Sequence, residues 1–275
     1  MNRRELLVRT LATGALAASA RPAVGSPEDP RQPAAPSPRP RAAGRKALFV
    51  YGGWEGHEPV QTRDLWLPWL ERQGFEVTTS ATLAPYADAA LMKSLDVVVQ
   101  SWTMGEIAKE QLDGLVGAVQ DGAGIAGWHG GLSDAFRGEP AYQFMVCGQF
   151  VAHPGGVIEY GVSVVDPGDE VMAGLRDFRL RSEQYYMHVD PNNKVLATTR
   201  FGAEHAPWIA GATMPVVWKR VHGRGRVFFS ALGHKASDFA VREIFEIAKR
   251  GVLWASESRH APIPALVSPL YAARR

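Results

Sequence analysis

Along residues 46–256 the apolar positions switch between two periods. Ala47-Leu48-Phe49-Val50-Tyr51 is an unbroken apolar run ending at Gly52-Gly53, as in a buried strand entering a turn. Leu65, Trp66, Trp69 and Leu70 then recur at helical spacing until Gly74. Phe75–Ser80 and Asp96–Gln100 read as further strands, with a weak helix over Ala87–Lys93 between them. Leu112, Leu115, Val116 and Val119 fall at i, i+3, i+4 and i+7, which predicts a helix over Glu106–Gln120. Ile125–Trp128 is a fourth strand. Four strands alternating with helices predict an α/β fold with a doubly wound, mostly parallel sheet, whose ligands sit beyond the carboxyl ends of the strands. That edge carries Gly52–His57, Gln100–Thr103 and Trp128–Gly131.

The second half adds β-strands. Val157–Val165, Lys194–Thr199, Val216–Val221 and Arg226–Ser230 are strand-like, the last two joined by Gly223-Arg224-Gly225, a hairpin signal. A closing helix places Val241, Ile244, Phe245, Ala248 and Val252 on one face, and residues 257–275 read as an extended tail.

The N-terminus has another character. Residues 1–20 read as a signal peptide: Arg3-Arg4, a weakly apolar stretch rich in Ala and Gly, and Ala18-Ser19-Ala20 as a small-x-small cleavage pattern. The order Asn2-Arg3-Arg4-Glu5-Leu6-Leu7 resembles a twin-arginine signal, so a periplasmic or secreted location is expected. No run reaches the roughly 18 apolar residues of a membrane span, and no cysteine stands near the cleavage pattern to take a lipid, so no membrane anchor is expected. Residues 21–45 form a Pro/Arg/Ala-rich linker, with seven prolines between Pro22 and Pro40.

Composition narrows the function. Of the 30 basic residues, nine lie in the first 46 positions against three acidic ones, leaving 21 basic against 25 acidic residues in the folded part. A mildly acidic domain has little with which to neutralise phosphates, so nucleic acid is not an expected partner. The single cysteine, Cys147, excludes an internal disulfide and a multi-cysteine zinc module, and its apolar surroundings Phe144-Met145-Val146 mark a buried structural thiol. The sequence leaves a homo-oligomer open.

Gly127-Trp128-His129-Gly130-Gly131 carries the sharpest chemical signal. A small-x-polar-small-small turn after a buried strand has the outline of a nucleophile elbow, lifting one side chain into a pocket over backbone N–H groups. The lifted residue is His129, suited to general acid/base work or to metal binding rather than to lasting nucleophilic attack. His57, His153 before Pro154, Glu183, His188 and His234 after Gly233 are the other candidates. They make no local metal motif, so any site must be assembled by the fold. His205, His222 and His260 read as surface residues. Trp54, Trp102, Trp128 and Trp208 fall at loops or strand ends, where an indole either stacks on a sugar ring or packs in the core.

In chain order, the first strand with Gly52-Gly53 and His57, the Gly127–Gly131 elbow, Gly148–Pro154, Glu183-Gln184-Tyr185, Pro215–Trp218, Gly223–Phe228, Gly233-His234 and Gly251–Trp254 resemble the ThuA-like, or trehalose-utilization, family over residues 46–256. The resemblance implies a flavodoxin-like fold related to class I glutamine amidotransferases, with histidine where amidotransferases hold cysteine, and a link to disaccharide and 3-keto-sugar metabolism. Ser182 stands where the family often has aspartate. A true glutamine amidotransferase is not expected, because Gly233-His234-Lys235 also lacks the His-x-Glu of a cysteine triad.

The resulting expectation is an exported carbohydrate-acting protein with catalytic His129, Glu183 and His234. Trp54, Trp128, Gly130, Gly131 and Tyr185 would contact a small carbohydrate. His57, His129, His153 and His234 would hold a divalent metal, zinc being suited to neutral imidazoles. The alternative is a non-catalytic carbohydrate-binding protein on the same scaffold.

Overall fold

A computed structural model describes residues 41–266. In chain order the elements are β1 (Lys46–Gly53), α1 (Pro59–Arg72), β2 (Glu76–Ser80), α2 (Ala89–Ser94), β3 (Val97–Thr103), α3 (Lys109–Gln120), β4 (Gly124–Trp128), α4 (Gly130–Ser133), α5 (Pro140–Val146), β5 (Gly148–Ala152), β6 (Val157–Val164), β7 (Phe178–Glu183), β8 (Tyr186–Val189), β9 (Lys194–Arg200), β10 (Thr213–His222), β11 (Gly225–Ser230) and α6 (Arg242–Ser256). Nine strands form one sheet in the order β2-β1-β3-β4-β11-β10-β9-β6-β7. The half from β2 to β11 is parallel, and β10, β9, β6 and β7 continue it antiparallel. β5 and β8 pair separately as a two-stranded antiparallel sheet.

The expected α/β architecture is therefore present. The inner parallel strands are apolar runs because helices cover both faces; Ala47–Val50, Val97–Val99 and Val227–Phe229 are all buried. α1 and α6 share one face, where Trp66 meets Phe245 edge-on at 5.2 Å and stacks on Trp128 of β4 at 4.4 Å. Burying indoles in this layer contributes several kcal/mol each.

The boundaries differ modestly from the sequence reading. α3 starts at Lys109 rather than Glu106 because Ala108 is still extended. Order also begins before Lys46: Ala42 is buried and donates its N–H to Gln73 O at 3.0 Å. The first part of the tail is docked, with Arg226 donating to Trp254 O and to Pro262 O, and Arg259 donating to Leu95 O. The expected signal peptide and most of the expected linker lie outside the described residues. Among the described residues, no helix is long and apolar enough to cross a membrane.

Candidate functional site

The carboxyl edge of the parallel strands gathers most of the candidate side chains. His57 comes from a 3-10 turn, Glu55–His57, directly after β1. His129 follows β4, and His234 follows β11. Glu183 ends β7, and Tyr185 lies in the two-residue link to β8. Ring centroids of His57, His129 and His234 are 4.7 to 5.1 Å apart. Glu183 Oε2 lies 3.3 Å from His234 Nδ1 and 3.5 Å from His129 Nε2.

His129 has the backbone of an elbow. Its φ of 48° and ψ of −143° form a sparsely populated combination for a residue with a Cβ, worth about 1–3 kcal/mol of strain. The neighbouring structure holds it there. Its N–H donates to Ser230 O at 2.7 Å, and its carbonyl accepts from the N–H and Oγ of Ser133. Gln100, fully buried on β3, donates to Gly131 O and to Tyr142 Oη, and Tyr142 donates to Leu132 O. Carbonyls of a four-residue helix that would otherwise be orphaned are thereby satisfied. Gln100 lies in a predicted strand and Tyr142 in a stretch without a sequence signal, and only the fold brings them together beneath α4.

The structure corrects several roles. His129 is not lifted into an open pocket: it is 1% exposed. Trp128, expected against substrate, is 2% exposed and belongs to the aromatic core. Gly130 and Gly131, also expected against substrate, are buried and serve close packing. A Cβ on Gly130 would stand 2.4 Å from His57 Cε1, and one on Gly131 would stand 2.8 Å from Ser101 Cα. Tyr185 is buried and reaches His129 Nδ1 with its hydroxyl at 2.8 Å, so it positions an imidazole instead of facing solvent. Trp54 does fit a surface platform, being 46% exposed and edge-on to His57.

His153, half-exposed after β5, places Nε2 3.7 Å from Glu183 Oε1 and sits at the rim. His188 is exposed on β8, away from the cluster. His222, read as a surface residue, is buried with Nε2 3.3 Å from Gln120 Nε2, because β10 continues to the end of the hairpin. Cys147 is buried at the end of α5, and burial pushes its thiol up to about 12. Ser182 donates to Asp238 Oδ2 at 2.6 Å, and the same oxygen accepts from the His234 N–H at 3.0 Å. Asp238 thus anchors the loop that carries His234, a role with no local sequence signal.

The electrostatics suit neutral imidazoles at His57 and His129 beside an ionised carboxylate. Burial, helped by His234, lowers the His57 imidazole to about 4, and burial pushes His129 well below its usual value. For Glu183 burial works upward, but the His234 contact and the surrounding imidazoles hold it below the ordinary carboxylate range. Neutral nitrogens and a charged oxygen are the protonation states that a metal requires.

A divalent ion fits this donor set. His57, His129, Glu183 and His234 each offer one ligand atom within 4.8 Å of the others. His129 Nε2 and His234 Nδ1 are buried without a hydrogen-bond partner, an uncommon and costly state that coordination would relieve. A tetrahedron with ligand bonds of about 2.0–2.1 Å has edges of about 3.4 Å, close to the two Glu183 separations. The outer partners are in place as well: Tyr185 Oη at His129 Nδ1 and Thr103 Oγ1 at His57 Nδ1, both at 2.8 Å, would accept those N–H protons and leave the opposite nitrogens free. His153, included in the expected metal set, falls outside this group of four.

Two ThuA-like proteins of solved structure are similar in fold: one from Bacteroides uniformis, 17% identical with a TM-score of 0.66 over 80% of this chain and 95% of that one, and one from Parabacteroides merdae, 18% identical with a TM-score of 0.61 over 77% and 90%. A cytoplasmic protein from Salmonella typhimurium LT2 is 12% identical, with a TM-score of 0.53 over 78% of this chain and 99% of that one. No curated protein matches the chain in sequence. The ThuA family profile, described as trehalose utilisation, matches residues 46–255, and the chain belongs to that family.

Proposed function

We propose that this ThuA-family protein is exported and acts on a disaccharide or 3-keto sugar at the carboxyl edge of its sheet. The observation that carries the reading is the convergence of two orphaned, buried imidazole nitrogens on one oxygen of an ionised carboxylate. His57, His129, Glu183 and His234 would hold a divalent ion such as zinc, which would supply Lewis acidity toward a sugar keto group. Glu183 Oε1 faces His153 Nε2, and His153, with a side chain 40% exposed, is placed to carry a proton between solvent and a sugar oxygen. Trp54 offers an exposed ring beside His57 on which a sugar can stack.

One observation favours a second reading. Four protein donors complete a tetrahedron, as in structural sites, whereas catalytic sites usually keep a position open. The protein would then be a carbohydrate-binding module stabilised by an ion. Turnover of a 3-keto disaccharide separates the two: His153→Ala should retain the metal and lose most turnover in the enzyme. Unchanged turnover would remove His153 from the chemistry, and sugar binding without any turnover by the unmodified protein would leave the binding module. Export rests on Arg3-Arg4; replacing both by Lys should hold the precursor in the cytoplasm, and unchanged periplasmic yield would refute it.

A further inference from the structure

A cavity of about 480 Å³ opens between the loop that follows β3 and the loop that follows α4. That volume lies in the range of about 300–1,000 Å³ typical of small-molecule sites. Met104, Ile107, Glu106, Arg137 and Glu139 are among its lining residues. We propose that this cavity is a subsite for a neutral, hydroxylated sugar ring, the second ring of the disaccharide whose other ring lies at the histidine cluster. The proposal rests on the reading of that cluster as a carbohydrate site.

Two sets of packed contacts place the cavity beside the cluster. Met104 directly follows Thr103, whose Oγ1 is bonded to His57. On the other wall, the Arg137 guanidinium lies 5.5 Å from the centroid of the Phe150 ring, which is 4.5 Å from the Tyr185 ring, itself 3.8 Å from the His129 ring.

The rim is preorganised. Met104 and Phe136 both hold positive φ, 62° and 50°, although neither is glycine. Met104 N–H donates to Asp134 O at 2.9 Å, and Met104 bridges Ala135 in parallel, fixing the two loops together. Strained backbone gathered around a cavity near a candidate site is a pattern found in ligand clamps.

Charge decides the ligand class. Asp134, 1% exposed, takes Nε and Nη2 of Arg137 in a forked pair and fixes the guanidinium plane. Nη1 has no hydrogen bond among the described residues and so offers free donors. Asp134 neutralises Arg137, so Glu106 and Glu139 leave the cavity with a negative balance. Carboxylate acceptors beside a fixed guanidinium donor, with Met104 and Ile107 as apolar wall, match the hydroxyls and C–H faces of an uncharged ring. A phosphate or uronate would meet like charge.

The test is calorimetric titration of the mature protein with trehalose and with trehalose 6-phosphate, alongside metal content. Trehalose should bind at least about tenfold more tightly than its phosphate. Glu106→Gln with Glu139→Gln should weaken trehalose at least about tenfold and narrow the gap to the phosphate, with metal content unchanged. Arg137→Lys, which keeps a cation against Asp134, should weaken trehalose similarly. Wild-type trehalose affinity in these variants, equal affinity for the phosphate, or no trehalose binding at all would overturn the subsite. Normal metal content and turnover beside unaffected pocket variants would sink the subsite alone. Pocket-dependent trehalose binding in a metal-free, inactive protein would sink the metal-dependent chemistry at the cluster and keep the subsite.

Discussion

Replacing Gly130 by Ala tests the site without altering any ligand atom. The new methyl would stand 2.4 Å from His57 Cε1, 2.9 Å from His57 Nδ1 and 3.2 Å from Thr103 Cγ2. Comfortable carbon contacts begin near 3.5 Å, so the imidazole must retreat by about 1 Å. A ligand atom tolerates only about 0.2 Å of misplacement, so His57 would leave the set and zinc affinity should fall by more than the roughly 10–100-fold that disturbing an outer-shell partner alone costs. For stability, overpacking costs about 1–3 kcal/mol and the strained His57–Thr103 hydrogen bond about 1 kcal/mol more, against about 1 kcal/mol gained from Ala in a helix. A net loss near 2 kcal/mol corresponds to a fall in Tm of about 4–8 °C for a domain of this size. Zinc competition against a chromophoric chelator and thermal unfolding read the two effects. Gly131→Ala is the control, because its methyl would press on the backbone of Ser101, costing stability while leaving His57 in place. Wild-type zinc affinity in Gly130→Ala, or an equal affinity loss in Gly131→Ala, would refute the reasoning.

Three further outcomes follow from the same geometry. Tyr185→Phe removes the 2.8 Å partner of His129 Nδ1 and should weaken metal binding about 10-fold while costing about 1 kcal/mol of stability, read by metal titration and urea unfolding; unchanged metal affinity would deny Tyr185 its positioning role. Trp128→Ala should cost about 3–5 kcal/mol because the indole stacks on Trp66, whereas Trp54→Ala should leave stability within about 1 kcal/mol and weaken sugar binding; the reverse order would restore Trp128 as the sugar platform. The Cys147 thiol, held near 12 by burial against an ordinary value of 9, should resist iodoacetamide at pH 8 until the protein unfolds. The sign for stability is that of a raised acid: its contribution is intact below pH 9 and is lost as pH rises toward 12, so rapid labelling of folded protein would contradict the burial.

The sheet was legible because its strands are continuous apolar runs and its helices keep one apolar stripe, patterns that depend only on local spacing. β5, β7 and β8 carry weak strand signals: Gly148–Ala152 and Tyr186–Val189 pair only with each other, and β7 is an edge strand interrupted by Arg179 and Arg181. Glycine turns marked His57, His129 and His234 as residues at strand ends, and the fold brings these three together with Glu183. What spacing could not convey is depth. Trp128 sits in the same motif as His129 but points into the aromatic core, because adjacent residues of a strand end face opposite layers, whereas Tyr185 is buried with its hydroxyl on His129. Thr103, Gln100, Tyr142 and Asp238 act through contacts between distant segments and carry no local signature. The two glycines after His129, expected to contact a carbohydrate, instead make room for the His57 ring and for β3.

The central claim is that three imidazoles and one carboxylate form a single metal site. Mature protein purified without chelators and measured by elemental mass spectrometry, before and after cobalt exchange, tests it directly. One equivalent of divalent metal per chain, with tetrahedral cobalt absorption that disappears in both His234→Ala and Glu183→Ala while the fold persists, is the predicted result. Less than about a tenth of an equivalent after incubation with excess zinc or cobalt, or full occupancy in those two variants, would contradict the account.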